Sequence, residues 1–367
     1  MSQLYLKNFR NYTEEHLKFN KNINLLIGSN AQGKTNILES IYLIGTGGSH
    51  RTNIDSELIN WQKDGLYLKG ELIKDNQDYQ LELSLLGRNK EIKINSNRLS
   101  RINDLIGYLN IVIFSPEDLS LVKGSPNLRR KFIDLEISQI SPYYRHLISK
   151  YGKVLKQRNN LLKEIRDNKA PKEMLSVWDQ QLIDLGSKII KKRLESLIKL
   201  GILSKLMQRK ITNGLEALEL KYDTELDLDN NSSEDEIKES FKLKLKEKKE
   251  REIYQGATTL GPHRDDISLI VNNIDIRKFG SQGQQRTAAL ALKLAELEFM
   301  KGEIGEYPIL LLDDVFSELD ISRRSYLLDT IRDKIQTFIT STDLKHLDGL
   351  KGNHKIFEIK NGSAIEV

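Results

Sequence analysis

An apolar run, Asn24-Leu25-Leu26-Ile27, feeds straight into Gly28-Ser29-Asn30-Ala31-Gln32-Gly33-Lys34-Thr35, and apolar residues at helical spacing follow at Ile37, Leu38, Ile41 and Tyr42. Few short stretches narrow the choice of fold as much. Gly-x-x-x-x-Gly-Lys-Thr between a strand and a helix is the pattern of a phosphate-binding loop. Its glycines let the backbone curl around an anion with N–H groups inward, and the helix behind it adds its positive end. Lys34 then reaches the outer phosphates, and the Thr35 hydroxyl is placed to ligate Mg²⁺. The stretch predicts an α/β fold and a bound nucleoside triphosphate, with residues 28 to 35 as its cradle.

The rest of the chain sets limits around that site. Its 367 residues allow a large core, or one domain with an insertion. No apolar run is long enough to span a bilayer, and Met1-Ser2-Gln3-Leu4-Tyr5-Leu6-Lys7 lacks the form of a signal peptide. The absence of cysteine excludes disulfides and thiolate metal sites and suits a reducing, cytoplasmic location. A net charge of +5 permits an acidic partner such as DNA without requiring one.

Taken in order, the chain begins with an alternating strand pattern at Leu4-Tyr5-Leu6, then a loop, Phe9-Arg10-Asn11-Tyr12, that the sheet order can set beside the nucleotide. Arg10 and Asn11 are therefore candidate nucleotide contacts. Residues 45 to 52, Gly45-Thr46-Gly47-Gly48-Ser49-His50-Arg51-Thr52, are too Gly-rich for a helix. From 66 to 94 apolar residues alternate, which predicts antiparallel strands turning at Asp75-Asn76 and Gly87-Arg88-Asn89. Residues 109 to 114 form a buried strand, stopped by Ser115-Pro116-Glu117-Asp118.

From about Pro126 to Met207 the spacing turns helical. Tyr144, Leu147, Tyr151, Val154, Leu161 and Ile165 make one series. Leu175, Trp178, Leu182, Ile189, Leu194 and Leu197 make a second beyond Ala170-Pro171, so two antiparallel helices form an arm. The second would run roughly 50 Å or more at 1.5 Å per residue. A strand at 218 to 229, a capped Lys/Glu-rich helix at 237 to 252, and strands at 267 to 271, 308 to 312 and 336 to 340 complete the reading. The expected division is an ATPase head from residues 1–122 and 250–367, with a helical arm domain at 123–249.

Two further segments bear on chemistry. Asp313-Asp314 ends an apolar strand, where a doubly wound sheet places its ligand. Asp313 is the candidate second magnesium ligand, and Asp314 the group that orients the attacking water. Ser281-Gln282-Gly283-Gln284-Gln285 opens a helix. Alone it reads as a helix cap; in a chain that already binds one anion it is a second anion site, with Ser281, Gly283 and Gln284 as contacts.

In combination, Leu6-Lys7-Asn8-Phe9-Arg10-Asn11-Tyr12, the phosphate loop, Gly261-Pro262-His263-Arg264-Asp265-Asp266, Ser281 through Thr287, and Leu311 through Asp320 closely resemble the RecF family. These are bacterial recombination-mediator ATPases related to SMC proteins, and the resemblance spans essentially the whole chain. It implies a P-loop ABC/SMC-type ATPase head with an inserted, mostly α-helical arm. It implies that the Ser281 segment is a signature loop closing on the γ-phosphate bound by the other subunit, with Ser317-Glu318-Leu319-Asp320 as the D-loop. Arg51 resembles the arginine finger of SMC heads, which makes Asp314, Lys34 and Arg51 the catalytic set. The cofactors implied are ATP and Mg²⁺. The partners implied are DNA, single-stranded and duplex at gapped junctions, a second copy of the chain in an ATP-dependent homodimer, and RecR and RecO in helping to load RecA.

The chain departs from the wider superfamily in three places. Ser115-Pro116-Glu117-Asp118 offers no glutamine to face the metal, Thr340-Ser341-Thr342 replaces a switch histidine that His346 stands too far along to supply, and Asp314 stands where Glu is usual. The shorter carboxylate fits slow turnover, a weak DNA-stimulated ATPase used as a timer. Candidate DNA contacts are the basic residues Arg129, Arg130, Lys131, Lys150, Lys153, Lys188, Lys191, Lys192 and Arg193. The competing reading, the nucleotide-binding subunit of a membrane transporter, is disfavoured by the inserted arm, the missing glutamine and the missing histidine.

Overall fold

The computed structural model of the chain describes residues 1–74, 77–343 and 353–367. The turn expected at Asp75-Asn76 and His346 lie outside the described residues. Contacts divide the chain into two units, Met1–Asp118 with Met300–Val367, and Leu119–Phe299.

The first unit opens with a hairpin of β1 (Gln3–Phe9) and β2 (Tyr12–Lys18), so the loop expected after Phe9 is a two-residue turn, Arg10-Asn11. Strand β2 escapes sequence reading because its interior is polar, with only Tyr12 and Leu17 buried. Next come β3 (Ile23–Ile27) and α1 (Lys34–Thr46). Helix α1 continues through Gly45 and Thr46, where the glycines were expected to forbid it. Then follow β4 (Gly65–Lys74), β5 (Gln77–Leu86), β6 (Asn89–Ile94), β7 (Asn97–Arg98) and β8 (Ile111–Phe114).

The second unit is mostly helical: α2 (Leu119–Lys123), α3 (Pro126–Ile140), α4 (Pro142–Arg166) and α5 (Leu175–Ile211). The 37 residues of α5 extend about 55 Å. Then come β9 (Leu218–Asp223), α6 (Glu234–Gln255), β10 (Asp266–Val271), β11 (Ile274–Asp275), α7 (Ile276–Phe279) and α8 (Gln282–Ile304). A capping box starts α6: Ser233 Oγ accepts from Glu236 N–H while Glu236 accepts from Ser233 N–H. Helices α4, α5 and α6 pack together over Leu162, Leu182 and Phe241, all fully buried. The three short strands pair antiparallel in the order β11-β10-β9.

The chain completes the first unit with β12 (Ile309–Asp313), α9 (Ile321–Ile331), β13 (Thr337–Ser341), β14 (His354–Lys360) and β15 (Ser363–Glu366). Two six-stranded sheets result. One is antiparallel, β2-β1-β4-β5-β6-β7; the other, β15-β14-β3-β13-β12-β8, is parallel from β14 to β8. Strands buried on both faces read as continuous apolar runs, which is the pattern of β3, β12 and β13. Helix α1 packs against both sheets, burying Ile37, Leu38, Ile41, Leu43 and Ile44 almost completely. Each such side chain contributes roughly 1.5–3 kcal/mol, so the core holds the N-terminal end of α1 against the carboxyl ends of the parallel strands.

Candidate nucleotide-binding site

The loop between β3 and α1 takes the shape that its sequence demands. Ala31 and Gly33 adopt left-handed conformations, with φ of 64° and 118°. A Cβ on Gly33 would stand 2.7 Å from Asn11 Nδ2 and 2.9 Å from the Tyr12 hydroxyl, so only glycine fits there. The neighbours that crowd it also brace it. Asn11 Nδ2 donates to the Gln32 carbonyl at 2.9 Å, and the buried Tyr12 hydroxyl to the Gly33 carbonyl at 3.1 Å. From the turn between β14 and β15, Gly362 N–H donates to the Gln32 carbonyl at 3.1 Å and Asn361 N–H to Gln32 Oε1 at 2.7 Å.

Strand order sets the acidic partners. Because β13 lies between β3 and β12, Thr340 meets both Asp313 and Asp314. The Thr35 hydroxyl donates to Asp313 Oδ1 at 2.9 Å and the Thr340 hydroxyl to the same oxygen at 2.7 Å. Asp314 N–H in turn donates to Thr340 Oγ1 at 2.9 Å. Asp314 itself is left-handed, φ 51° and ψ 26°. Strain of this kind in a non-glycine residue gathers at functional positions. The Lys34 amine donates to the Gly28 and Ser29 carbonyls at 2.6 and 2.8 Å. Burial lowers its pKa, and Asp314 and Asp313 pull it back up.

A third group was not found by sequence reading. Glu39, one helical turn beyond Thr35, has a fully buried side chain and stands between two arginines. Arg10 grips it with two bonds, Nε and Nη2, at 2.8 and 2.7 Å, and Arg51 Nη1 donates to it at 3.2 Å and to Asn36 Oδ1 at 3.0 Å. The Ser49 hydroxyl adds a bond of 2.5 Å. Burial alone would raise the Glu39 pKa, but the hydrogen bonds from Arg10 and Ser49 and the two positive charges hold it below the usual range. The available signal was one acid on an otherwise apolar helix face. Both Arg10 and Arg51 are therefore placed from α1, beside the phosphate loop. His50 packs its ring edge-on to Tyr42 at 5.1 Å, and its Nδ1 is buried without a partner among the described residues.

In the second unit Ser281 caps α8. Its hydroxyl accepts Gln284 N–H at 3.2 Å, and Gln284 Oε1 accepts Ser281 N–H at 3.0 Å. Ser281, Gln282 and Gly283 are exposed, and the first-turn amides of a helix lack partners within it. The Gly261–Asp266 motif serves packing in this unit. Arg193 donates to the Pro262 carbonyl at 2.6 Å, and its Nε and Nη2 pair with Asp134 at 3.0 and 2.9 Å. Arg129 pairs with Asp266 through two bonds of 2.7 and 2.8 Å. Both arginines are 2% exposed, which removes them from the candidate DNA contacts. Charge is all that marks them in the sequence, and the carboxylates that pair with them, Asp266 and Asp134, lie far off along the chain. Lys131, Lys150 and Lys153 are exposed, while Lys191 donates to the Ser232 carbonyl and Lys192 pairs with Glu195.

Comparison with known proteins decides the lineage. A family model described as the RecF/RecN/SMC N terminal domain matches residues 1–364. The chain is 50% identical over 365 residues to the "DNA replication and repair protein RecF" of Halothermothrix orenii, covering 99% of this chain and 97% of that one. The chain belongs to the RecF family. A Bacillus cereus RecF is 47% identical over 352 residues, covering 96% of this chain and 93% of the relative. Among solved structures, a RecF–ATP complex described as a recombination mediator of the RecFOR pathway superposes with a TM-score of 0.94 at 37% identity, covering 100% of this chain and 97% of that one. An SMC head bound to a winged-helix domain of ScpA superposes with a TM-score of 0.58 at 16% identity, covering 100% of this chain and 96% of that one, a likeness of fold. The expected α/β head of ABC/SMC type with a helical insertion thus stands, in a RecF-family member.

Proposed function

We propose that this chain is an ATP-dependent DNA-binding protein of recombinational repair and replication-fork maintenance. In this reading an ATP-induced dimer recognises gapped or junction DNA, helps to load RecA together with RecR and RecO, and lets go on slow hydrolysis. The observation that carries it is the Thr35–Asp313 pair beside the phosphate loop. Two hard oxygen donors joined at 2.9 Å at a triphosphate site fit Mg²⁺. When bound, that ion neutralises charge on the β- and γ-phosphates. Lys34 exchanges its two loop carbonyls for phosphate oxygens at little cost, since one set of charge-assisted bonds replaces another. Asp314, held by Thr340, accepts a hydrogen bond from the attacking water and sets its line of approach. The family resemblance of the Leu6–Tyr12, Ser281 and Ser317–Asp320 segments, and the names borne by the relatives, support the DNA-repair context.

The test is a pair of variants. Lys34→Met is expected to lose ATP binding by at least tenfold with an unchanged circular dichroism spectrum. Asp314→Asn is expected to bind ATP normally and hydrolyse it at under a tenth of the starting rate. ATP affinity untouched in Lys34→Met would overturn the site. Normal turnover in Asp314→Asn would move the water-orienting role to another residue.

A further inference from the structure

The antiparallel sheet of the first unit carries a groove that the nucleotide site does not use. It has a volume of about 1150 Å³, and its walls present five cationic side chains, Lys7, Lys63, Arg88, Lys90 and Arg98, against two carboxylates, Asp64 and Glu91. Lys90 is paired with Asp55, and Glu91 with Lys93 and Arg98. Lys7, Lys63 and Arg88 are exposed and have no ion-pair partner among the described residues. Unneutralised cations lining one concave surface favour a polyanion.

At the rim stands a turn, Asn60-Trp61-Gln62-Lys63, closed by Lys63 N–H to the Asn60 carbonyl at 3.1 Å. Asn60 N–H ties it to the Asn8 carbonyl at 2.8 Å, and Asn8, Gln62 and Lys63 themselves line the groove. Gln62 takes a left-handed φ of 64°, a conformation that costs a residue with a side chain on the order of 1–3 kcal/mol. The turn holds Trp61 with 90% of its surface in solvent. An indole is ordinarily among the more buried side chains, and leaving it out forfeits the burial that its area offers. Strain and exposure coincide on a hydrogen-bonded turn beside cations that have no ion-pair partner among the described residues.

We propose that this groove binds single-stranded DNA, with the backbone phosphates along Lys7, Lys63 and Arg88 and one unpaired base stacked on Trp61. The proposal rests on the DNA-binding reading above and narrows it to a place and a strand type. A groove of positive charge with an aromatic platform is the general solution for strands whose bases are free to stack. Bases inside a duplex already stack on each other and show only their edges in the grooves, so the indole face has nothing to meet there.

Trp61 and Trp178 are the two tryptophans of the chain. Replacing Trp178, which packs against Leu161, Leu162, Ile165, Leu175 and Ile253, by phenylalanine leaves Trp61 as the sole indole reporter. Titrating oligo-dT into Trp178→Phe protein with ATP and Mg²⁺ is expected to quench its fluorescence saturably, and the quenching should fade as salt rises. In the otherwise native chain, Trp61→Ala should weaken oligo-dT binding by about 5- to 150-fold, the worth of one stacked base, and Lys63→Glu with Arg88→Glu should weaken it further. Duplex binding by Trp61→Ala, read by anisotropy, should change less than twofold. Oligo-dT binding without quenching, or with full affinity in Trp61→Ala, overturns the groove while leaving DNA binding elsewhere intact. A Trp61→Ala chain that loses only an acidic protein partner overturns it equally. Failure of gapped, duplex and single-stranded DNA alike to bind sinks the DNA reading itself.

Discussion

Glu39 shows how a fully buried carboxylate is kept ionised beside the phosphate loop. A carboxylate with no exposed surface persists as an ion only because Arg10, Arg51 and Ser49 surround it, and removing one partner would leave a buried charge, a costly state. Half-buried imidazoles follow the opposite logic and stay neutral. Burial lowers the pKa of His50 and of His263 to about 4, against roughly 6.5 when unfolded. The unfolded chain therefore takes up protons that the folded one refuses. Their contribution is complete above the unfolded value and is lost as pH falls from about 6.5 toward 4. Each is worth on the order of 3 kcal/mol when fully expressed. Asp265 runs the other way, since burial raises its pKa to about 6 and its share of stability grows as pH falls through that value. Two imidazoles outweigh one carboxyl, so the midpoint of thermal unfolding should drop between pH 7 and pH 4.5. His50→Gln should make the drop shallower. A flat profile would mean that the two rings are solvated.

At the scale of elements, legibility followed burial pattern. The strand–loop–helix of β3 and α1, the apolar strands β12 and β13, and the helices α4 and α5 declared themselves because their apolar spacing is regular over many residues. Strand β2 did not, since it is an edge strand with polar residues on most of its length. Within the site, the phosphate loop and Asp313 were legible from local pattern. Glu39, Thr340 as a bridge, and the Asn361-Gly362 turn were not, because each acts through a partner outside its own local window: Glu39 through Arg10, 29 residues away, Thr340 through Asp313, 27 away, and Asn361 through Gln32, 329 away. That turn gives the element-scale prediction. Gly362 has φ 73°, and a Cβ there would lie 2.3 Å from the Asn11 carbonyl oxygen, a backbone atom that cannot swing aside. Gly362→Ala therefore forces the hairpin of β14 and β15 off the Gln32 carbonyl, on top of the roughly 1–2 kcal/mol that a left-handed alanine costs. Because this hairpin sits at the edge of its sheet, the fold should survive while ATP binding weakens about three- to tenfold by calorimetry. Equal affinity in variant and parent would show that the hairpin merely adjoins the loop.

For the whole molecule the decisive question is what the signature segment does. In the structure the Ser281 hydroxyl caps its own helix, the segment is exposed, and Phe279 beside it is 76% in solvent. Ile321, which follows the Ser317–Asp320 segment, is likewise 80% exposed. On the proposed reading these surfaces are covered when two copies meet about a two-fold axis, each offering its Ser281 segment to the triphosphate held by its partner's phosphate loop. One patch is then used twice, as an isologous interface requires, and two ATP molecules become part of the interface. Ser281→Arg should retain ATP affinity within about threefold, because its own phosphate loop is unaltered, but should stay monomeric with ATP by light scattering. Loss of the cap alone costs about 1 kcal/mol and is separated by Ser281→Ala, which removes the hydroxyl without adding bulk and should still dimerise, though less tightly. A mixture of Ser281→Arg and Lys34→Met chains can build one intact composite site, from the phosphate loop of the first and the Ser281 segment of the second. That mixture should give weak heterodimers where neither variant alone gives any. Dimerisation of Ser281→Arg at the parental ATP concentration would mean that the interface lies elsewhere and that the nucleotide is not shared.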